Sequence, residues 1–299
     1  MNNVKKSFSI RDMENLSGIK AHTIRIWEKR YDLLSPERTD TNIRTYSLQS
    51  LQKLLNITLL YNNGYKISKI AKIDENDIPE IVNSIVLNNN EENQALNALK
   101  LAMVNFDQNL FSKTYASLLS KKTFREVFHE VFIPLLQELG LLWQTDTISP
   151  SHEHFITNLI KQKIYTETEK LQANSPTNNS KVFALFLPEN EIHELGLLYI
   201  NYEIVNKGYK SIYLGPTMPV ESLTDLLKYY DSLHFISYMT VSPTKEKLKK
   251  YIKEFVAILD KTPKSRLWLL GRQIQHIAPE TLPGSIRTFN NIEGVTAEL

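Results

Sequence analysis

The chain has 299 residues, of which 42% are hydrophobic and 23% are charged, and it contains no cysteine. This length exceeds one ordinary hydrophobic core and predicts two or three domains. The lack of cysteine excludes disulfides, thiolate metal sites and a cysteine nucleophile, and it is typical of the reducing cytoplasm. No apolar run approaches the ~20 residues that span a bilayer, and the first residues do not resemble a signal peptide. We therefore expect a cytoplasmic protein without a membrane partner.

Charge is distributed unevenly along the chain. Residues 1–72 carry 13 Lys and Arg against 6 Asp and Glu, residues 73–172 carry 8 against 14, and residues 173–299 carry 14 against 13. A basic N-terminal segment is typical of a module that binds nucleic-acid phosphates. A solvated surface of uneven charge has the same composition, so the charge alone leaves both interpretations open.

The first elements in chain order are short helices. Ser9 has the position of an N-cap for a first helix, and Gly18 has the position of its end. A second helix is predicted over 20–31, in which Ile24 and Trp27 have the spacing of buried residues. Two short helices joined by a turn that contains glycine are typical of a helix-turn-helix, the motif that places its second helix in a DNA groove.

A small β-wing and a long helical region are predicted next. Residues 33–46 are rich in turn formers at their centre and predict the wing, and residues 48–62 predict an amphipathic helix. Residues 76–172 contain few Pro or Gly and carry Leu, Ile and Phe at three- and four-residue spacing. This pattern predicts a bundle of about four helices.

The hydrophobic period changes after a polar linker at 173–180. Short apolar runs then alternate with helical stretches, which predicts βαβ units and a parallel sheet. The predicted strands are 182–187, 211–214, 233–239 and 266–270. The expected fold class is multidomain α and α/β, with a winged helix-turn-helix at 1–75, a four-helix bundle at 76–172 and a Rossmann- or flavodoxin-like domain at 181–299.

Three separated motifs carry a family resemblance, namely TIRIWEKRY at 23–31, LLSPER at 33–38 and RTY at 44–46. They resemble the MerR family of winged helix-turn-helix regulators. The resemblance implies a double-stranded DNA operator as partner and a homodimer or homotetramer that binds two half-sites. A plain helical hairpin with solvated basic residues is the alternative. The side chains that we expect to contact bases and phosphates are Thr23, Arg25, Lys29, Arg30, Arg38, Arg44 and Tyr46.

A second group of polar residues follows the first predicted strand, in the pattern Glu191-x-His193-x-x-Gly196. The carboxyl edge of a parallel sheet is where such folds bind ligands. There a histidine can offer a neutral imidazole nitrogen to a metal, and a neighbouring carboxylate can fix its tautomer. Further upstream, Trp143 is followed ten positions later by the pair Glu153 and His154.

This arrangement resembles the cobalamin-binding domains, and together with the N-terminal motifs it resembles light-responsive repressors of the CarH/LitR type. The resemblance implies adenosylcobalamin as cofactor, with His193 as the lower ligand of its cobalt. Photolysis of the Co–C bond would then rearrange the oligomer and release DNA. The implied cofactor-binding residues are Trp143, Glu153 and His154 in a cap over the upper face, and Glu191, His193, Gly196, Ser237 and Gly271 in the α/β domain.

Two positions depart from the family pattern. Arg272 follows Gly271 where cobalamin domains usually have a second glycine, and Gln144 stands where family members often have a histidine. These departures favour a second hypothesis, a regulator that keeps the cobalamin fold without the cofactor. A metal site built from His152, His154 and His193 is a weaker alternative. An enzyme is not expected, because no segment is long enough for a separate substrate barrel.

Overall fold

The computed structural model describes residues 7–74, 77, 78, 81, 92–144 and 148–299. The chain forms two compact units, Met1–Ile160 and Lys161–Leu299. Within the described ranges, no helix is long and apolar enough to cross a bilayer. The three domain boundaries stay a prediction, and the stretch around residue 76, where the first and second domains were predicted to meet, lies partly outside the described residues.

The first unit begins with a small antiparallel sheet and short helices. The Ser9 side chain accepts from the Asp12 backbone and Asp12 reaches back to Ser9, a capping box that starts the first helix, and Gly18 ends it with a φ of +72°. The sheet has the order β1-β3-β2, and its first strand was missed in the sequence because it is only three residues long. The elements are β1 Ser7–Ser9, α1 Ile10–Ser17, α2 Ala21–Tyr31, β2 Glu37–Arg38, β3 Arg44–Ser47, α3 Leu48–Asn62 and α4 Ile67–Ile70.

Helices follow, as the spacing of apolar residues predicts. Asp107 caps one of them by accepting from the Leu110 backbone N–H, and stacked rings of Phe111 and Phe132 lie in the core. The helices are α5 Glu92–Asn105, α6 Gln108–Leu119, α7 Phe124–Val127, α8 Ile133–Gln144 and α9 Pro150–Gln172, with a π-helical turn at Phe128–Phe132 between α7 and α8. The helical region is confirmed over the described residues.

The second unit contains a parallel five-stranded sheet in the order β5-β4-β6-β7-β8. This is the flavodoxin-like order, so the predicted α/β fold class is confirmed. The strands are β4 Asn178–Pro188, β5 Tyr209–Met218, β6 His234–Tyr238, β7 Arg266–Leu270 and β8 Ile286–Phe289. The first strand begins inside the predicted linker, because a shift in register after Asn178 accommodates the polar residues before Val182.

Helices cover both faces of this sheet. They are α10 Leu195–Asn206, α11 Lys245–Leu259 and α12 Ile292–Ala297, and 3₁₀ turns lie at Val220–Lys228, Arg272–His276 and Pro279–Thr281. Eight consecutive residues of α10, from 197 to 204, are buried. Because β4 lies between β5 and β6, the connections that leave β4 and β6 separate at the carboxyl edge. Such a switch point is where this class of fold forms its ligand crevice.

Candidate DNA-reading and cofactor sites

The second helix of the N-terminal module separates its buried and exposed residues cleanly. Ile24 and Trp27 are 0% and 4% exposed and fix the helix to the core. Spacings of three and four residues place the exposed side chains on one outward face, which we call the reading face: His22, Arg25, Ile26 and Lys29. Thr23 is half-buried beside this face, and Arg30 is exposed next to it. Sequence reasoning missed His22 and Ile26, although their helical spacing from Arg25 and Lys29 identifies them.

Glu28 joins the reading helix to the wing. The side chain of Glu28 is 8% exposed, its Oε2 lies 3.2 Å from the Nε of Arg44, and its Oε1 accepts a hydrogen bond from the Tyr46 hydroxyl. Tyr46 is 1% exposed, and burial followed by the Glu28 carboxylate raises its pKa. The expectation that Tyr46 contacts DNA therefore needs correction, since its ring lies in the core and its hydroxyl is already bonded.

The tip of the wing is exposed and carries polar side chains beside the apolar Ile43. Arg38 donates to the Asn42 side chain at 2.5 Å, and Asn42 occupies the left-handed region with a φ of +63° at the turn. Arg44 also lines an open cleft that contains Arg11 from the first turn of α1. Arg11 was not predicted, and it adds a second cation to the lining of this cleft.

Glu191 cross-links two loops at the carboxyl edge of the parallel sheet. Its side chain is fully buried, and its Oε1 accepts from the backbone N–H groups of Ile192 and His193, both at 3.0 Å. Its Oε2 accepts three further backbone N–H groups from the loop after β6, those of Thr240, Val241 and Ser242 at 2.9, 2.6 and 2.9 Å. Burial alone would raise the pKa of Glu191, but the backbone donors and the neighbouring imidazole hold it below its usual value. The carboxylate is therefore ionised.

The ionised carboxylate fixes the tautomer of His193. The Nδ1 of His193 lies 2.6 Å from Glu191 Oε1, and an ionised carboxylate is an acceptor only. Nδ1 therefore carries the proton, and the lone pair is on Nε2. Within the described part of the chain nothing hydrogen-bonds to Nε2, and the side chain is 51% exposed. Such a nitrogen can ligate a metal from a position that the carboxylate has already oriented.

Two exposed apolar residues share the Glu191 carboxylate with His193. Ile192 and Val241 are 65% and 53% exposed, and the backbone N–H of each donates to Glu191. Arg272 is exposed, so its guanidinium does not fill the interior of the domain. The next residue in sequence, Glu194, forms an ion pair with Lys161 and accepts a hydrogen bond from the Tyr213 hydroxyl, each at 3.1 Å.

Gly196 and Ser237, two of the predicted cofactor residues, lie on opposite faces of the sheet. Alternation along β6 directs Tyr238 toward α10 and Ser237 toward α11. A Cβ at Gly196 would lie 2.7 Å from the Tyr238 ring, so this glycine makes room for a side chain of the protein and not for a ligand. The buried hydroxyls of Ser237 and Tyr251 lie near each other on the α11 face, yet neither satisfies hydrogen-bond geometry with any described residue.

Gly271 is required by the packing of the chain itself. Its φ is +106°, and an added Cβ would lie 2.5 Å from the carbonyl oxygen of Met239. The backbone of the turn after β7 therefore approaches the backbone after β6 directly, and Gln273 N donates to the same Met239 oxygen at 3.0 Å. The role predicted for Gly271, contact with a cofactor, is thus accompanied by a structural one.

The predicted cap residues belong to the first unit. Glu153 and His154 lie in the first turns of α9 and pair with each other at 3.2 Å, and the His154 side chain is 68% exposed. Trp143 and Gln144 lie in the last turn of α8, and their side chains are outside the described part of the structure. His152 is buried, accepts or donates at Ser149, and stacks on Phe106 at 4.7 Å.

The metal site from three histidines is not supported. His152 faces the interior of the first unit, where burial lowers its pKa, and the Nδ1 of His193 is engaged by Glu191. No group of three or more His, Cys, Asp or Glu residues with the geometry of a metal site is found among the described residues.

Two families of known proteins match separate parts of the chain. Residues 8–77 match the family described as MerR HTH family regulatory protein, and residues 95–166 match the family described as B12 binding domain. The chain joins a MerR-type helix-turn-helix domain to a B12-binding domain. The reading face and the wing lie in the MerR-type domain, and Glu153 and His154 lie in the B12-binding domain.

Curated relatives match most of the chain. The chain is similar to the HTH-type transcriptional repressor CarH of Myxococcus xanthus, with 26% identity over 231 residues that cover 73% of this chain and 74% of the relative. The HTH-type transcriptional repressor CarA of the same organism is 25% identical over 219 residues, which cover 72% of this chain and 70% of that protein.

A solved structure shares the fold. The monomethylamine corrinoid protein of Methanosarcina barkeri superposes with a TM-score of 0.52 and 10% identity, and the match covers 73% of this chain and 94% of that protein. At this level of identity the likeness concerns the fold alone, and it agrees with the flavodoxin-like strand order.

Proposed function

We propose that this chain is a transcriptional repressor whose affinity for DNA is controlled by a cobalamin cofactor, and that it acts in the cytoplasm as a homodimer or homotetramer. It is a DNA-binding regulator with a B12-binding domain. Both curated relatives are transcriptional repressors, which supports a regulator and not an enzyme. The observation that carries the cofactor part is the Nε2 of His193, which Glu191 orients through Nδ1 and which has no hydrogen-bond partner among the described residues.

In the DNA-binding part, we assign base contacts to the reading face and phosphate contacts to the wing. Arg25 and Lys29 are exposed on the reading face, and cationic side chains there suit guanine edges and phosphates. Arg38 and Arg44 extend from the wing strands, where they suit phosphates or the adjacent minor groove. Thr23 and Arg30 contribute from the flanks of the reading face.

In the sensor part, the residues present fit a corrin at several points. His193 would bind the cobalt through Nε2, Glu191 holds the imidazole in the required tautomer, and the exposed side chains of Ile192 and Val241 suit the apolar edge of a large macrocycle. The unpaired hydroxyl of Ser237 is a buried donor that a polar group of the cofactor would satisfy.

Trp143, Glu153 and His154 complete the proposal as the cap. The exposed pair of Glu153 and His154 presents polar groups at the start of α9, and we assign Trp143 to the same cap from its position at the end of α8. When bound, adenosylcobalamin supplies a Co–C bond that light can break. We propose that, with the cofactor held by His193, this light-sensitive bond would let the sensor part control the association of protomers and the affinity for DNA.

A second function has two observations in its favour. The Tyr238 ring fills the space above Gly196, and Gln144 stands in the position of the histidine that family members often carry. A regulator that keeps the fold without the cofactor would use the domain for protein contacts. It predicts DNA affinity that is indifferent to both cobalamin and light.

The decisive experiment uses absorbance spectra of the full chain after incubation with adenosylcobalamin in the dark and gel filtration. We expect bound cobalamin in the wild type, loss of it in His193→Ala, and no effect of His276→Ala, which removes an exposed histidine of the same unit. Green light should then change the spectrum and the oligomeric mass. A wild-type protein that stays colourless, with unaltered DNA affinity, would establish the second function.

A further inference from the structure

The reading face of α2 carries an apolar side chain between basic ones. Ile26 is 43% exposed, and its neighbours at helical spacing on that face are His22, Arg25 and Lys29. The two apolar residues that anchor the helix, Ile24 and Trp27, already lie inside. The core of the module is supplied by Ile24 and Trp27, and Ile26 is not needed to anchor the helix.

The charge of the N-terminal module indicates which partner this face binds. Residues 1–72 have an excess of seven positive charges, from 13 Lys and Arg against 6 Asp and Glu, which complements DNA phosphates. In the major groove of B-DNA the C5-methyl group of thymine is the apolar feature that distinguishes one base edge from the others. A recognition helix lies in the major groove, where the thymine methyl group is the apolar contact available to an exposed aliphatic side chain.

We infer that Ile26 is a specificity-determining residue that reads a T·A pair by packing against the thymine methyl group. The inference rests on the proposed function only in requiring that α2 enters the major groove. The basic neighbours on the reading face supply attraction that does not depend on sequence, and Ile26 supplies selectivity without a hydrogen bond.

The test removes only the methyl group. A duplex operator is first enriched from random DNA with the full chain, and each thymine is then replaced singly by deoxyuridine while affinity is measured at one salt concentration. Loss of contact with one methyl group corresponds to about a fourfold weaker complex for each affected position. We expect this loss at one position in each half-site for the wild type.

Variants distinguish the residue from its surroundings. Ile26→Ala keeps an exposed helical position and a good helix former, so it should fold, bind the thymine operator about fourfold more weakly, and be insensitive to deoxyuridine at that position. Ile43→Ala removes another exposed isoleucine, at the wing, and should keep the wild-type sensitivity.

The other possible outcomes would overturn either the inference or the DNA-binding function. A flat deoxyuridine scan for the wild type, or an Ile26→Ala variant that remains sensitive at the same thymine, overturns the inference while DNA binding stands. A changed oligomeric mass of Ile26→Ala with no effect of deoxyuridine overturns it in favour of a protein interface. Failure of the full chain to enrich any duplex would instead refute the DNA-binding function itself.

Discussion

Replacing Glu191 by glutamine perturbs the junction between the two loops at the switch point with the smallest possible change in shape. Each carboxylate oxygen accepts three donors: Oε1 from Ile192 N, His193 N and His193 Nδ1, and Oε2 from the N–H groups of residues 240–242. Glutamine has one oxygen and one NH₂ group. Whichever way the amide is turned, its N–H groups face three donors.

The magnitude follows from that geometry. Three buried donors lose their acceptor, and each unsatisfied group costs about 1–3 kcal/mol. Such terms do not add fully, so we expect a loss of about 3–5 kcal/mol in the free energy of unfolding, comparable to breaking a buried charged pair. This is a large part of the ~5–15 kcal/mol that stabilises a typical domain.

The assay is urea unfolding of the full chain combined with hydrogen exchange of the loop after β6. Glu191→Gln should lower the urea midpoint and increase exchange at residues 240–242. Glu189→Gln is the matched control, because it makes the same change two positions away at an exposed side chain. If Glu191→Gln and Glu189→Gln unfold at the same urea concentration and exchange alike, the carboxylate does not join the loops and our reasoning about the tautomer of His193 is wrong.

Three further changes test other parts of the structure. Glu28→Gln removes the charged partner of Arg44 and weakens the acceptor of the buried Tyr46 hydroxyl, so the free energy of unfolding should fall by about 1–3 kcal/mol, as urea unfolding would reveal. Burial lowers the pKa of His234 from 6.5 to about 4, so between these pH values the unfolded chain binds the proton more readily than the folded chain. The free energy of unfolding should therefore fall by up to ~2 kcal/mol from pH 7 to pH 5. Urea unfolding of His234→Phe at several pH values should lack this dependence. Gly271→Ala should lower stability by at least ~2 kcal/mol in thermal unfolding, and Gly284→Ala, which meets no atom within 4 Å, should not.

The N-terminal module was largely predictable because its signals are local. The capping box at Ser9, the positive φ of Gly18 and the burial of Ile24 and Trp27 all follow from residues close in sequence. The burial of Tyr46 did not follow, because it depends on Glu28, which lies 18 residues earlier in the chain. The local sequence does not distinguish a tyrosine hydroxyl that faces DNA from one that donates to a buried carboxylate.

The sensor site was predictable in its residues but not in all of its contacts. The pairing of Glu191 with His193 follows from their spacing, whereas the three N–H groups from residues 240–242 come from a loop about 50 positions later. The strand β8 was missed because it has only four residues and the two in its middle, Arg287 and Thr288, are polar. The contact of Gly196 with Tyr238 depends on packing between α10 and β6, which no local pattern encodes.

Buried and exposed residues of α2 have different roles, which has a practical consequence for redesigning the protein. Positions 24, 27 and 28 anchor the helix to the core and the wing, whereas the four side chains of the reading face are exposed. A combinatorial library that varies only those four positions should therefore yield folded variants in high proportion. Selection from such a library could direct the protein to new promoters without rebuilding its sensor.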